Sequence, residues 1–160
     1  MLKNKKALFV LSTAILLSFA GQLVAGSASS VLDSLLAQPE AKRGLCVVLG
    51  DAEGKLALEL ARRSECLIFV QLEKESQVES VRKAVDKAGF YGSRVYVEQG
   101  GSQGISLADN LADAVLVVGE SSPALKGDAM RVLRPGGRLI SGDKTSVKPT
   151  PQGIDQWAHP

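Results

Sequence analysis

A glycine turn between an apolar run and an amphipathic run is the part of the sequence whose residue types and spacing indicate binding chemistry. Residues 47–60 read VVLGDAEGKLALEL, in which Gly50 and Gly54 bracket Asp51-Ala52-Glu53. Glycines let a backbone turn sharply and approach a ligand closely, and the first turn of the following helix presents N–H groups without an intrahelical partner. The pattern therefore predicts a small-molecule site at this turn.

Two phosphate-binding patterns fit the turn poorly. A P-loop has the form G-x-x-x-x-G-K-[ST], but here one residue is missing between the glycines and Leu56 stands where a hydroxyl would bind magnesium. A dinucleotide turn has the form G-x-G-x-x-G, whereas Ala52 and Lys55 occupy its second and third glycine positions. An unrelated nucleotide-binding α/β domain stays open as an alternative.

Apolar β-branched runs alternate with amphipathic runs over residues 30–142. The former predict strands at 45–49, 66–72, 95–97, 114–118 and 138–141. Apolar residues at helical spacing predict helices at 30–38, 55–63, 75–88 and 123–133, and Pro135-Gly136-Gly137 predicts a tight turn. Strands that alternate with helices require right-handed crossovers and a parallel sheet. The predicted fold class is α/β, with a doubly wound, mostly parallel sheet of about five strands.

Five segments in this order resemble the class I methyltransferases that use S-adenosylmethionine, and the resemblance covers residues 41–142. Besides the glycine turn they are VRKAVDKAGF, YGSRVYVEQG, LADAVLVVGE and, the most specific, MRVLRPGGRLI. The resemblance implies a Rossmann-like domain, over residues 30–142, that binds S-adenosylmethionine as methyl donor. That family's sheet usually continues with a helix and an antiparallel strand pair, so this domain is expected to be truncated on its C-terminal side.

The resemblance assigns the glycine turn to the methionine part of the donor. Gly50 and Gly54 match the outer glycines of the family's G-x-G-x-G turn, and Ala52 replaces the central one. Val48 stands where the family usually has an acidic residue. Asp51 lies within the turn, where its charge either favours the sulfonium or is solvated beside a helix N-terminus.

Three further positions are implied as donor contacts. Gln71 stands at the end of the second strand, where the family's carboxylate grips both ribose hydroxyls. An amide has a single acceptor oxygen, so we expect the free energy of binding the ribose to be less favourable by about 1.5–3 kcal/mol than with a carboxylate. Ser102 follows the third strand, where the family has an acidic residue near the adenine amine, and Glu120 ends the fourth strand facing the cleft.

Residues 1–28 have the pattern of a secretory signal peptide. Lys3, Lys5 and Lys6 precede the apolar run Ala7–Ala20, and small residues follow it. The alternative is an uncleaved anchor, but a fourteen-residue run falls short of the ~20 residues that span a bilayer. The pattern predicts export to the periplasm or the extracellular space, with membrane contact through the signal peptide during export.

Without these 28 residues the net charge changes from +2 to −1, because 16 Lys and Arg then face 17 Asp and Glu. A mildly acidic chain with 4% aromatic residues has none of the basic, aromatic-interleaved surface that nucleic-acid platforms use. We therefore expect no nucleic-acid partner.

Residues 143–160, DKTSVKPTPQGIDQWAHP, have the composition of a linker toward a downstream domain of the same chain. The segment and the domain order resemble the N-terminal part of exported bacterial proteins that continue into a β-propeller of the pyrroloquinoline-quinone type. Trp157 and His159 are then expected to contact that downstream domain.

Cys46 and Cys66 begin apolar runs, so buried thiols are predicted; a disulfide is the alternative in an oxidising compartment. Their spacing and the single histidine do not form a metal pattern.

Two functions stay open. One is a methyltransferase-like domain that binds the donor; no catalytic side chain is identified, although methyl transfer can rely largely on positioning. The other is a non-catalytic scaffold attached to a downstream domain, which the substituted ligand positions and the export signal favour.

Overall fold

A computed structural model describes residues 32–33, 35–36, 43–101, 103–119, 123–151 and 153. Its strands are β1 Leu45–Leu49, β2 Leu67–Leu72, β3 Val95–Gln99, β4 Ala112–Val117, β5 Leu133–Ser141 and β6 Lys144–Val147. Its helices are α1 Lys55–Arg63, α2 Glu75–Lys87 and α3 Pro123–Val132. The signal peptide, Ser102, Glu120, Trp157 and His159 lie outside the described residues. In the described part, no helix has the length and apolar character needed to span a bilayer.

The six strands form one sheet in the order β3-β2-β1-β4-β5-β6. Strands β1 to β5 are parallel, and β6 pairs antiparallel with β5. This is a Rossmann-like α/β arrangement with a mostly parallel sheet, as the sequence predicts. The strand order reverses between β1 and β4, and this is the point where ligands bind in open parallel sheets.

The sheet has six strands where the sequence indicated about five, because β6 lies inside the segment assigned to the linker. A turn at Gly142, with φ +58°, folds the chain back so that Ser141 pairs with Lys144. All four residues of β6 are exposed. Backbone pairing with β5 holds the strand at the edge of the sheet. Because neither face of β6 is buried, its sequence has no alternation of apolar and polar residues that would predict a strand.

The predicted Pro135-Gly136-Gly137 turn lies within β5. Ala112 pairs with Leu133, but Ala114 pairs with Arg138, so β5 carries extra residues against β4 at a bulge. Gly136 has φ +79°, which a residue without a side chain adopts readily.

Two apolar clusters cover the two faces of the sheet. On the first face α1 and α2 pack against β1, β2 and β3, and Leu32 and Leu35, both helical, join this cluster. Helix α2 buries Val78, Val81 and Val85, as its periodicity predicts. On the second face α3 packs against β1, β4 and β5.

The connection between β3 and β4 helps to cover the second face. Its described residues, 100–101 and 103–111, contain no helix. Ile105, 3% exposed, and Leu107 instead pack into the second cluster. We call residues 100–101 and 103–107 the β3–β4 loop. Because this loop lies against the sheet without helical hydrogen bonds, its backbone polar groups need other partners.

Lys148 fixes the chain just after β6. Its ammonium donates hydrogen bonds to Asn110 Oδ1 at 2.7 Å, to the Leu133 carbonyl at 2.7 Å and to the Arg131 carbonyl at 3.1 Å. It therefore stabilises carbonyls at the end of α3, where the helix dipole favours a cation.

Cys46 and Cys66 are both completely buried and form no disulfide. A hydrogen bond with Cys66 and burial raise the pKa of the Cys46 thiol. The two residues act as small apolar core residues, which agrees with the predicted buried thiols.

Candidate functional site

A cleft of about 280 Å³ lies at the carboxyl ends of β1, β2 and β4, at the point where the strand order reverses. Its lining has an apolar part and a polar part. The apolar part is formed by Leu49, Ala52, Leu72, Val117, Val118 and Leu125; the polar and glycine part by Gly50, Gln71, Glu73, Lys74, Gln77, Gly100 and Gly101. The cleft therefore lies where the sequence predicted the site.

The outer glycines of the turn are required by packing. Gly50 has φ +80°, and a Cβ there would lie 2.7 Å from the Val118 carbonyl oxygen. Gly54 has φ +69°, and its Cβ would lie 2.8 Å from Val81 Cγ1. Both the conformation and the close contacts exclude a side chain, so the fold by itself accounts for the two glycines.

Asp51 is buried beneath the turn and caps α1. It is 5% exposed, and its Oδ2 accepts a hydrogen bond from the Ala57 N–H at 2.9 Å. Burial raises the pKa of Asp51, and the backbone N–H groups of Ala57, Leu56 and Lys55 act in the opposite direction. The expectation of a solvated Asp51 is wrong, whereas its contact with a sulfonium stays a prediction. A carboxylate occupies the N-terminus of α1, the place where a phosphate binds in many nucleotide folds.

Glu53, by contrast, is exposed and pairs with Lys55. It is a solvated turn residue on the outside of the glycine turn.

Gln71 lies at the cleft but its amide is used by the β3–β4 loop. The side chain is 4% exposed; Nε2 donates to the Gly104 carbonyl at 2.7 Å, and Oε1 accepts from the Ser106 N–H at 3.0 Å. Nε2 also lies 3.4 Å from the Gly101 carbonyl. The residue that the resemblance assigns to the ribose therefore binds the protein's own backbone.

Two side chains of α3 hold the same loop from the other side. Asp128 Oδ2 accepts from the Ile105 N–H at 2.6 Å, and Arg131 donates to the carbonyls of Ile105 at 3.0 Å and Leu107 at 2.9 Å. The Arg131 guanidinium and the Ile105 N–H lower the pKa of Asp128 below its ordinary value. Hydrogen bonds with Asp128 and Asp109 raise the pKa of Arg131.

The residues that sequence analysis missed belong mainly to this loop anchorage. The i, i+3 spacing of Asp128 and Arg131 would have indicated an ion pair, but the loop carbonyls that Arg131 binds lie 24 and 26 positions away. Lys74, Gln77 and Leu125 also line the cleft, and no motif marks them.

The predicted site residues divide into three groups. Gly50, Ala52 and Gln71 line the cleft together. Asp51 and Gly54 stay buried behind it at the start of α1. Ser102 and Glu120 lie outside the described residues. Within the described ranges, no group of three His, Cys, Asp or Glu side chains is placed to bind a metal ion.

The cleft fits one part of an adenosyl donor better than the other. Gly50, Ala52, Val117 and Leu125 offer a narrow, mostly apolar space suited to a thioether or sulfonium chain. At the end of β2, the Gln71 oxygen that the resemblance assigns to a ribose diol accepts from the Ser106 N–H, and the exposed carboxylate of Glu73 lies two positions later.

Comparison with solved structures gives the fold. A protein of Methanococcus maripaludis assigned as an S-adenosyl-L-methionine-dependent methyltransferase aligns with TM-score 0.66 and 22% identity over 89% of this chain and 67% of its own. A protein of Galdieria sulphuraria assigned as a sarcosine dimethylglycine methyltransferase aligns with TM-score 0.63 and 23% identity. The alignment covers 69% of this chain and 44% of that protein. Geranyl diphosphate methyltransferase in complex with S-adenosylmethionine aligns with TM-score 0.64 and 20% identity. The alignment covers 72% of this chain and 47% of that protein. The chain thus spans under half the length of the latter two. No protein-family model and no curated protein matches the sequence.

Proposed function

We propose that this methyltransferase-like domain binds S-adenosylmethionine weakly, at millimolar concentration, and acts as a non-catalytic scaffold rather than as a methyltransferase. The observation that carries the proposal is the engaged amide of Gln71: the side chain at the position that the resemblance assigns to the ribose diol is bonded to Gly104 and Ser106. A fold of this kind hosts many functions, so the argument depends on the site.

The chemistry available at the cleft supports this assignment. When bound, S-adenosylmethionine supplies an electrophilic methyl group on a sulfonium. The chain's own contribution would be to seat the methionine part against Gly50 and Ala52 and to exclude water with Leu125 and Val117. Losing charge-assisted contacts with the ribose costs about 1.5–3 kcal/mol each, and two such losses change affinity by a factor of about 100 or more.

Phosphate-bearing nucleotides fit less well than a sulfonium compound. The carboxylate of Asp51 is fixed at the N-terminus of α1 and would repel a phosphate placed there. We therefore expect that NAD and ATP do not shift the melting temperature of the protein.

Calorimetry on the chain tests the proposal directly. We expect a Kd for S-adenosylmethionine in the millimolar range, and a sharp gain in affinity in the double variant Ala52→Gly with Gln71→Asp. Wild-type binding with a micromolar Kd, or methyl transfer at an enzyme's rate, would show that the cleft is a working donor site.

We further propose that residues 1–28 direct export and that the domain precedes a quinone-type propeller. The basic and apolar pattern of the first 28 residues and the composition of residues 143–160 support this. Fusing residues 1–28 to a phosphatase that is active only outside the cytoplasm tests the export: an inactive fusion contradicts it. The reading frame after residue 160 tests the second part.

A further inference from the structure

The β3–β4 loop is held by side chains at both of its sides. Gln71 from β2 binds the backbone of Gly104 and Ser106, and α3 binds that of Ile105 and Leu107. A loop laid on a sheet must satisfy its backbone groups, and here three side chains do this in place of helical hydrogen bonds.

An amide is the group that suits the Gln71 position. The Gly104 carbonyl needs a donor and the Ser106 N–H needs an acceptor, and a glutamine side chain offers both. A carboxylate could not donate to Gly104, and an apolar side chain would leave both backbone groups without a partner. The position is also tightly packed, since a Cβ at Gly100 would lie 2.2 Å from Gln71 Cδ.

We propose that Gln71 is a positioning residue that latches the β3–β4 loop over the carboxyl end of β2, and that a ligand carrying a vicinal diol competes with this latch. The second half rests on the proposed function. A diol that reaches Gln71 competes with the Ser106 N–H for Oε1, so it binds at this side chain only when the latch opens. The latch thus sets which ligands the cleft admits and lowers their affinity.

Amide hydrogen exchange on the full chain tests the latch without any ligand. In Gln71→Met, whose side chain has nearly the same length but neither donates nor accepts as an amide does, we expect the Ser106 N–H to exchange at least about tenfold faster. Gly100→Ala should do the same, because its Cβ displaces the Gln71 side chain. Gly101→Ala is the matched control, since its Cβ would meet no atom within 4 Å.

Ligand competition is tested with S-adenosylhomocysteine at 10 mM and with methionine, which lacks the diol. In the wild-type chain we expect S-adenosylhomocysteine to speed exchange at Ser106 and methionine to leave it unchanged. Gln71→Glu should bind S-adenosylhomocysteine about tenfold more tightly, because its carboxylate cannot donate to the Gly104 carbonyl but keeps acceptor oxygens for the diol. If Gln71 had a merely structural role, S-adenosylhomocysteine would slow exchange at the Ser106 N–H of the wild-type chain. The Gln71 variant would then bind this ligand more weakly than the wild-type chain does.

The outcomes separate the claims. Unchanged exchange at Ser106 in both Gln71→Met and Gly100→Ala overturns the latch. Slower exchange with ligand, weaker binding by Gln71→Glu, or no binding by any variant overturns the competition. A micromolar Kd in the wild-type chain overturns the proposed function, while the ligand-independent exchange rates still decide the latch.

Discussion

The carboxylate of Asp51 accepts a hydrogen bond from the backbone N–H of Ala57, six positions later in the chain, at 2.9 Å. The N-cap position itself, Gly54, has no side chain to provide this bond. Asp51 therefore takes the role of the usual N-cap residue from a position within the glycine turn, and it stabilises the start of α1. The residue is buried, with 5% of its surface exposed.

Replacing Asp51 by asparagine should change how stability depends on pH. Burial raises the pKa of Asp51 in the folded state above its unfolded value, so the folded state resists ionisation. The wild-type chain is then expected to lose stability from this group as the pH rises through the interval between the two pKa values. The amide of the variant keeps an acceptor oxygen for Ala57 and does not ionise. In urea titrations started below the ordinary pKa of an Asp, near pH 3, the free energy of unfolding of the variant minus that of the wild type should increase as the pH rises toward 7. A difference that does not change with pH would contradict this.

Asp128→Asn should have the opposite pH dependence. Its partners Arg131 and the Ile105 N–H depress the pKa of Asp128, so its stabilisation is complete above the unfolded pKa and is lost as the pH falls through the folded pKa. At pH 7 we expect the variant to be about 1 kcal/mol less stable, because hydrogen bonds to a charged group exceed neutral ones by roughly that amount. Urea titrations at pH 7 and pH 3 measure it. A deficit that is as large at pH 3 as at pH 7 would argue against the charge.

Gly50→Ala should destabilise the domain by about 1–3 kcal/mol, since an alanine there must adopt φ +80°. The Cβ would also press on the Val118 carbonyl, which is backbone and cannot rotate away. Gly101→Ala is the control, because it has neither a positive φ nor a close neighbour. Thermal unfolding followed by circular dichroism compares the two, and equal melting temperatures would refute the role of Gly50 in packing.

Gly127→Ala should stabilise the protein by about 0.5–1 kcal/mol. Gly127 lies inside α3, and a Cβ there would meet no atom within 4 Å, so the substitution reduces the entropy of the unfolded chain without a clash. Gly89→Ala is the matched comparison: its Cβ also meets no atom within 4 Å, but its φ is +77°. We expect urea midpoints to move in opposite directions for the two variants. A lower midpoint for Gly127→Ala would contradict the expectation.

The sequence predicts those features that local patterns encode. The buried face of α2 follows from Val78, Val81 and Val85, and the position of the cleft follows from a glycine turn after a buried strand. Strand β6 escapes prediction because its exposed residues have no apolar alternation.

The roles of the polar site residues depend on contacts that sequence spacing does not reveal. Gln71 is placed correctly at the end of β2, but its partners Gly104 and Ser106 lie 33 and 35 positions away. The burial of Asp51 depends on how the turn folds under α1, and a charged residue in a glycine turn is ordinarily solvated.

The anchor at Lys148 determines how the domain would respond to tension on the chain that follows it. A force pulling on residues beyond 148 would load the side-chain hydrogen bonds to Asn110, Arg131 and Leu133 together with the backbone hydrogen bonds that join Lys148 to Gly136 and Gly137 of β5. Because those bonds join the end of α3 to the start of β5, the load would spread into the interior of the sheet. We therefore expect the three side-chain hydrogen bonds of Lys148 to raise the force at which β6 separates from β5.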